Sequence, residues 1–263
     1  MTGPQSFPHE DAFNKVPAVT LAFWVIKILA TTVGETAADV LSTTFNLGLV
    51  VTSYVMAALL IVALVAQFRA SRYVPAIYWV TVVFISVVGT LISDNLVDNL
   101  GVSLVTTTAI FSVALVAVFI WWFASEKTLS VHTIFTHRRE AFYWGAILFT
   151  FSLGTSGGDL LSERLALGYG VALGIFAAGI AVVYLLYRMR AINGVLAFWI
   201  AYILTRPLGA SAGDLITQAP ADGGMGIGRL PSTGVILVVI VVLVWYLTVQ
   251  ERKHPAPAVR TDP

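Results

Sequence analysis

Four aspartates, Asp39, Asp94, Asp159 and Asp214, stand in otherwise apolar stretches, each 15 residues after the tryptophan of an aromatic–Trp pair. The pairs are Phe23-Trp24, Tyr78-Trp79, Tyr143-Trp144 and Phe198-Trp199, and a glycine (Gly34, Gly89, Gly154, Gly209) follows each Trp by 10 residues. An ionisable group in a membrane segment costs about 2.5–3.5 kcal/mol at the helix centre and marks a functional site by default. Four matched carboxylates are therefore expected to coordinate a cation or to relay protons. Glu35 lies one turn before Asp39 and extends the set. Arg206, seven residues after Trp199, is deep enough in its segment to need a carboxylate partner, and Glu35 is the first choice.

Carboxylates with neighbouring Thr, Ser and Asn side chains form an oxygen-donor set. Such donors suit protons or hard cations such as Mg²⁺, Ca²⁺ and Mn²⁺. Asp39, Asp94, Asp159 and Asp214 would be the metal ligands, and a bound divalent cation is the one cofactor these residues suggest. The chain has no cysteine, and His9, His132, His137 and His254 all fall in loops or tails, which disfavours soft-metal chemistry. Carboxylates held close together resist ionising together, the usual equipment of a proton-coupled carrier. The tryptophans Trp24, Trp79, Trp144 and Trp199 open an alternative, since aromatic faces attract organic cations and carboxylates supply the counter-charge. An exporter of amines or quaternary ammonium compounds would use the same residues.

The elements that must position these groups are membrane helices. The chain is 58% hydrophobic and 11% charged, with a mean hydropathy of +0.87, whereas soluble domains carry about 25% charged residues. Eight spans of helical rather than alternating pattern are expected, at 20–43, 47–67, 75–97, 102–123, 140–162, 167–187, 194–217 and 233–249. Residues 1–17 are polar and lack the basic-then-apolar pattern of a cleavable signal.

The odd-numbered spans carry the repeat; the even ones are plainer and read as packing or lipid-facing partners. On a helix, positions 7, 11 and 15 after each Trp fall on its face. The stripes are Trp24-Thr31-Glu35-Asp39, Trp79-Ser86-Thr90-Asp94, Trp144-Phe151-Thr155-Asp159 and Trp199-Arg206-Ala210-Asp214. An Asp should face the bundle interior, so the Trp is expected inward too, walling the inner end of an acidic cavity. Trp121, Trp122 and Trp245 are expected in the interfacial belt. Lys27 is expected to snorkel to a helix end, and Asp98, Asn99 and Glu163 to be solvated or capping groups. Each Asp is preceded by a Gly-xxx-small step, expected to let helices approach. Gly157-Gly158 and Pro207 with Gly209 and Gly213 could instead unwind a helix.

Lys15, Arg69, Arg72, Lys127, Arg138, Arg139, Arg188, Arg190, Arg252, Lys253 and Arg260 fall on one side of this topology, against Arg164 and Arg229 on the other. The positive-inside rule then places both termini in the cytoplasm and the aspartates towards the external face. Trp-to-Trp offsets of 55, 65 and 55 residues describe a two-helix unit doubled twice. The expected fold class is thus an all-α integral membrane protein of eight transmembrane helices. They form four parallel two-helix repeats, pseudo-symmetric about an axis along the membrane normal. Its parts are a cytoplasmic tail (1–17), a first half (18–124), a cytoplasmic linker (125–139), a second half (140–250) and a cytoplasmic tail (251–263).

On the aromatic–Trp…Gly…Asp spacing over residues 20–250, the chain resembles a bacterial membrane-protein family built from four tandem two-helix repeats with one characteristic Trp each. That repeat is catalogued as having unknown function, so the resemblance implies the architecture and the bacterial inner membrane but no activity. No phosphate-binding Gly-Lys-Ser/Thr loop, His-Glu-x-x-His or Gly-x-Ser-x-Gly is present, and an enzyme is not expected. The expected partners are membrane lipid and a small cationic substrate or ion, not nucleic acid. Gly170 and Gly174 offer a small-residue surface for a homo-oligomer. The leading expectation is a secondary transporter or channel for a cation; a non-transporting membrane scaffold or sensor is the alternative.

Overall fold

The computed structural model of the chain describes residues 14–253. His9, His254, Arg260 and most of both tails lie outside the described residues. Eight α-helices and no strand are found among the described residues: α1 Leu21–Asp39, α2 Gly48–Arg69, α3 Pro75–Asp94, α4 Leu104–Glu126, α5 His137–Asp159, α6 Tyr169–Arg188, α7 Gly194–Thr217 and α8 Arg229–Lys253. The odd helices start where local chemistry supplies the first turn. Thr20, Thr136 and Asn193 cap the backbone of α1, α5 and α7, and Pro75 opens α3.

Seven of the helices are long and apolar enough to cross a membrane, which makes the chain a multi-pass membrane protein. The exception is α5, whose 23 residues begin at His137-Arg138-Arg139-Glu140 and include Thr150, Ser152, Gly154, Thr155, Ser156, Gly157 and Gly158. Those small and polar residues are affordable in α5 because it is enclosed by α3, α4 and α7.

The four odd helices close a ring in the order α1, α3, α5, α7, with α7 returning to α1. Each even helix packs outside the ring on the next odd one: α2 on α3, α4 on α5, α6 on α7 and α8 on α1. The outer helices carry long exposed apolar rows, such as Val235, Val238, Val241 and Val242 on α8. In water such surface would be costly; in a bilayer it is the lipid-facing side.

The repeated glycines bring the ring helices together. A Cβ on Gly89 would stand 2.6 Å from Phe151 Cβ. Gly34 faces Ser86, Gly154 faces Arg206 and Gly209 faces Thr31 with no more room. Each glycine thus receives the residue seven after the Trp of the next helix in the ring. That is close packing by small residues. Neither Gly157-Gly158 nor Pro207 unwinds its helix, since α5 and α7 run unbroken through them.

Candidate functional site

At one end of the ring, seven carboxylates from all four repeats line a single cavity of about 140 Å³: Glu35, Asp39, Asp94, Asp98, Asp159, Glu163 and Asp214. Val97, Leu104 and Gln218 complete the wall. The convergence follows from the fold. The aspartates hold the same position on four parallel helices, and a closed ring turns those positions towards one axis. Asp39, Asp94 and Asp159 are half-buried, while Asp214 and Glu35 are buried.

The helix geometry changes right at the aspartates. Directly after Asp39, Asp94 and Asp159 the chain makes one π-helical turn, at Val40–Thr44, Asn95–Asn99 and Leu160–Arg164. Such wide turns are rare and concentrate at functional sites. Hydroxyls take up carbonyls here, Ser42 Oγ donating to Ala38 O at 2.7 Å and Ser162 Oγ to Gly158 O at 2.9 Å. The turns bring Asp98 and Glu163 over the mouth of the cavity. Both are exposed, as solvated groups should be, but they belong to the cavity rather than serving only as caps.

The carboxylates differ in their partners. Arg229, at the start of α8, places Nε 2.9 Å from Asp39 Oδ2 and donates to Thr43 Oγ1 and Gln218 Oε1, both at 3.2 Å. It joins the end of α7 to the end of α1, the seam where the ring closes. Gln218 Nε2 in turn donates to Asp214 Oδ1 at 3.4 Å. Among the described residues, Asp94 and Asp159 have no ion-pair or side-chain hydrogen-bond partner.

One turn below, Arg206 is fully buried and closes the cavity floor. Its Nη2 donates to Glu35 Oε2 at 2.9 Å and to Thr155 Oγ1 at 2.7 Å, and it also meets Thr90 Oγ1. Glu35, Thr90 and Thr155 occupy one repeat position in α1, α3 and α5. The fourth residue of that layer is Ala210, so one guanidinium from α7 satisfies the other three repeats. The expected Arg206–Glu35 pair is thus formed.

Lys27, another turn down, does not snorkel. It is fully buried, donates to Tyr202 O at 3.2 Å and lies over the rings of Tyr202 and Phe151, at 4.1 and 4.8 Å. The ring centre leaves its ammonium no path to an interface, and two aromatic faces take the place of a carboxylate.

The tryptophans Trp24, Trp79, Trp144 and Trp199 do not line the cavity. Fifteen helical residues separate each from its Asp, about 22 Å, and the Arg206 and Lys27 layers lie between. Trp79, Trp144 and Trp199 are buried as expected, and Trp24 half-buried. Their partners follow the ring: Phe23 meets Trp79 at 5.7 Å, Tyr78 meets Trp144 at 5.5 Å, Tyr143 meets Trp199 at 6.2 Å and Phe198 meets Trp24 at 5.7 Å. The aromatic–Trp pair is an interlock between neighbouring helices. Trp122 joins this core, fully buried and stacked on Phe142 at 6.3 Å, whereas Trp121 and Trp245 are exposed as a belt requires. Beside the interlock, Tyr73 accepts from Trp79 Nε1 at 3.2 Å, and burial pushes its phenol up.

The far end is closed by a further buried carboxylate. Glu140, one turn before Tyr143, is fully buried; Lys15 Nζ lies 2.7 Å from its Oε2 and Gln67 Nε2 donates to its Oε1 at 3.2 Å. Composition and periodicity marked neither Lys15 nor Glu140, because each sits at a sequence position that reads as a solvated helix end.

The cavity does not contain a preformed metal cage. Among the described residues, no three His, Asp or Glu side chains are gathered closely enough to hold one metal ion. The four aspartates instead stand around an open space. His132 and His137 are exposed at the opposite end.

A family model described as Repeat of Unknown Function (DUF347) matches the chain four times, over residues 22–73, 77–128, 142–192 and 197–253. Each match begins two residues before a repeat tryptophan. No curated protein and no solved structure matches the chain.

Proposed function

The chain belongs to the DUF347 repeat family, and from the cavity that its four repeats build we propose that it is a secondary transporter for a cation. The observation that carries this reading is the convergence of seven carboxylates from four repeats on one cavity, of which, among the described residues, only Glu35 and Asp39 are ion-paired. Such a concentration of negative charge in a concave, low-dielectric site raises the local concentration of cations.

In this proposal all eight helices span the membrane, α5 shielded by its neighbours, with a fourfold pseudo-axis along the membrane normal. The basic end lies in the cytoplasm of a bacterial cell with both termini, and the cavity opens outside the inner membrane. Asp94 and Asp159 meet the cargo first, and Asp39, Asp214 and Glu35 complete its coordination. Arg206 and Lys27 bar the axis beneath, which favours a carrier over an open pore. The open spacing of the carboxylates suits a cation that keeps water or N–H donors, or a proton, better than a dehydrated divalent metal. The wall of Val97, Leu104 and Gln218 offers no aromatic face, which weighs against an exporter that selects amines by cation–π attraction.

Flux into proteoliposomes tests the reading. The purified chain is expected to carry at least one of a panel of alkali, alkaline-earth, ammonium or hydrogen ions, and Asp94→Asn or Asp159→Asn to remove that flux. Absence of flux for every ion, or full flux in both variants, would leave the non-transporting scaffold as the better account.

A further inference from the structure

The end of the ring opposite the acidic cavity holds an arrangement of the same kind in miniature. A strap of chain ahead of α1 lies across it. Lys15 N donates to Ile134 O at 2.9 Å and Tyr73 N to Asn14 O at 3.1 Å. Asn14 Nδ2 donates to Val131 O at 3.2 Å and its Oδ1 accepts from Ile134 N at 3.1 Å. From this strap the Lys15 ammonium enters the bundle and meets two oxygen-bearing residues. It lies 2.7 Å from Glu140 Oε2 and 3.1 Å from Phe68 O. Gln67, only 1% exposed, donates to Glu140 Oε1, and its own Oε1 is buried without a hydrogen-bond partner among the described residues. His137 Nδ1, at 3.9 Å from Glu140 Oε2, is the other ionisable group facing this carboxylate, from an exposed position.

Two buried carboxylates are therefore ion-paired inside the bundle, Glu35 below the acidic cavity and Glu140 at the other end. Each is neutralised by a cation of the chain itself, Arg206 and Lys15. The two cations differ in how they are held. Arg206 projects from the middle of a ring helix, whereas Lys15 hangs from a short irregular strap whose removal breaks no helix. A buried carboxylate that loses its close-lying cation must bind another or take up a proton, because an unpaired charge there costs several kcal/mol.

We propose that Glu140, the Gln67 amide oxygen and the Phe68 carbonyl form a second cation site, for a small ammonium-like monovalent ion, with Lys15 as its tethered occupant. The strap is then the gate of that end: cargo reaching Glu140 displaces Lys15, and the returning ammonium expels the cargo. The gate rests on the transport reading above; the binding site does not.

Two experiments on the full-length chain test the two parts. In Lys15→Ala the site is empty, and methylammonium is expected to restore stability lost with the lysine. The thermal midpoint should rise by about 5 °C at a hundredfold excess over Kd. Wild type and Lys15→Ala/Glu140→Gln should show no such rise. Equal responses in Lys15→Ala and the double variant overturn the site. For the gate, the absence of native cysteine allows a single introduced pair, Asn14→Cys with Val131→Cys, to be joined by a bis-methanethiosulfonate linker, which loses sulfinate as it forms a disulfide with each thiol and is cleaved again by a reductant. This variant keeps Lys15 and stands even if Lys15→Ala does not fold. Cross-linking is expected to stop cation flux and cleavage to restore it; undiminished flux with the link complete overturns the gate. A parent chain without any flux removes the transport reading and the gate with it, while the methylammonium result still decides the site.

Discussion

Arg206 on α7 and Glu35 on α1 meet at 2.9 Å across the centre of the ring, 171 residues apart in the chain. Each is the odd member of its layer. The layer of Arg206 is otherwise Thr31, Ser86 and Phe151, and that of Glu35 is Thr90, Thr155 and Ala210. One acidic and one basic departure from the repeat thus complement each other, and together they floor the cavity.

Removing one member of this pair leaves the other as a buried, uncompensated charge. Glu35→Gln and Arg206→Met are each expected to lower stability by about 3–5 kcal/mol, and the double variant to recover much of that loss. Denaturation in detergent measures the cycle. Strictly additive losses would show that the two groups do not depend on each other.

Asp94 and Asp159 face the cavity without an ion-pair partner among the described residues, so their neutralisation breaks no contact of the fold. Asp94→Asn and Asp159→Asn are expected to insert normally, keep their thermal midpoints and lose cation flux about tenfold or more. The factor follows from interactions with a charged group worth about 1.5–3 kcal/mol. Asp39→Asn differs, because it also strips Arg229 of its carboxylate, and its midpoint should fall as well. Identical midpoints in all three variants would contradict this division.

The glycines of the ring can be tested against one outside it. Gly89→Ala drives a methyl into Phe151 and is expected to cost about 1–3 kcal/mol. Gly174, on the outer face of α6, has open space around it. Gly174→Ala is expected to be neutral, or to stabilise by up to about 1 kcal/mol through helix propensity. Equal effects at the two sites would refute the close-approach role.

Since the tryptophans interlock helices away from the cavity, Trp144→Leu is expected to lower stability, by up to about 3–5 kcal/mol if the site collapses poorly. The order in which competing cations are carried should stay the same. A changed order of preference, measured by competition in proteoliposomes, would return the tryptophans to the cargo path.

What the sequence alone determined was everything governed by helical periodicity. Apolar length announced the membrane helices, and a spacing of 10 and 5 residues, four times over, announced four like units. Positions 7, 11 and 15 after each Trp placed Asp, Glu35 and Arg206 on inward stripes, and the single acidic and single basic exceptions named each other as partners. The order of neighbours around the ring was beyond reach, because contacts between residues 51 to 175 apart leave no mark on local spacing. So was the difference between facing the cavity and facing solvent at a helix end. Asp98 and Glu163 needed the wide turns after Asp94 and Asp159, Gln218 needed the end of α7, and Arg229 and the Lys15–Glu140 pair needed the closure of the ring. Lys27 read as a snorkelling residue because its position along the helix lies near an end, but burial is set by what packs around a side chain. The tryptophans face into the bundle but lie away from the cavity, since sharing a face with Asp says nothing of the two charged layers stacked between them.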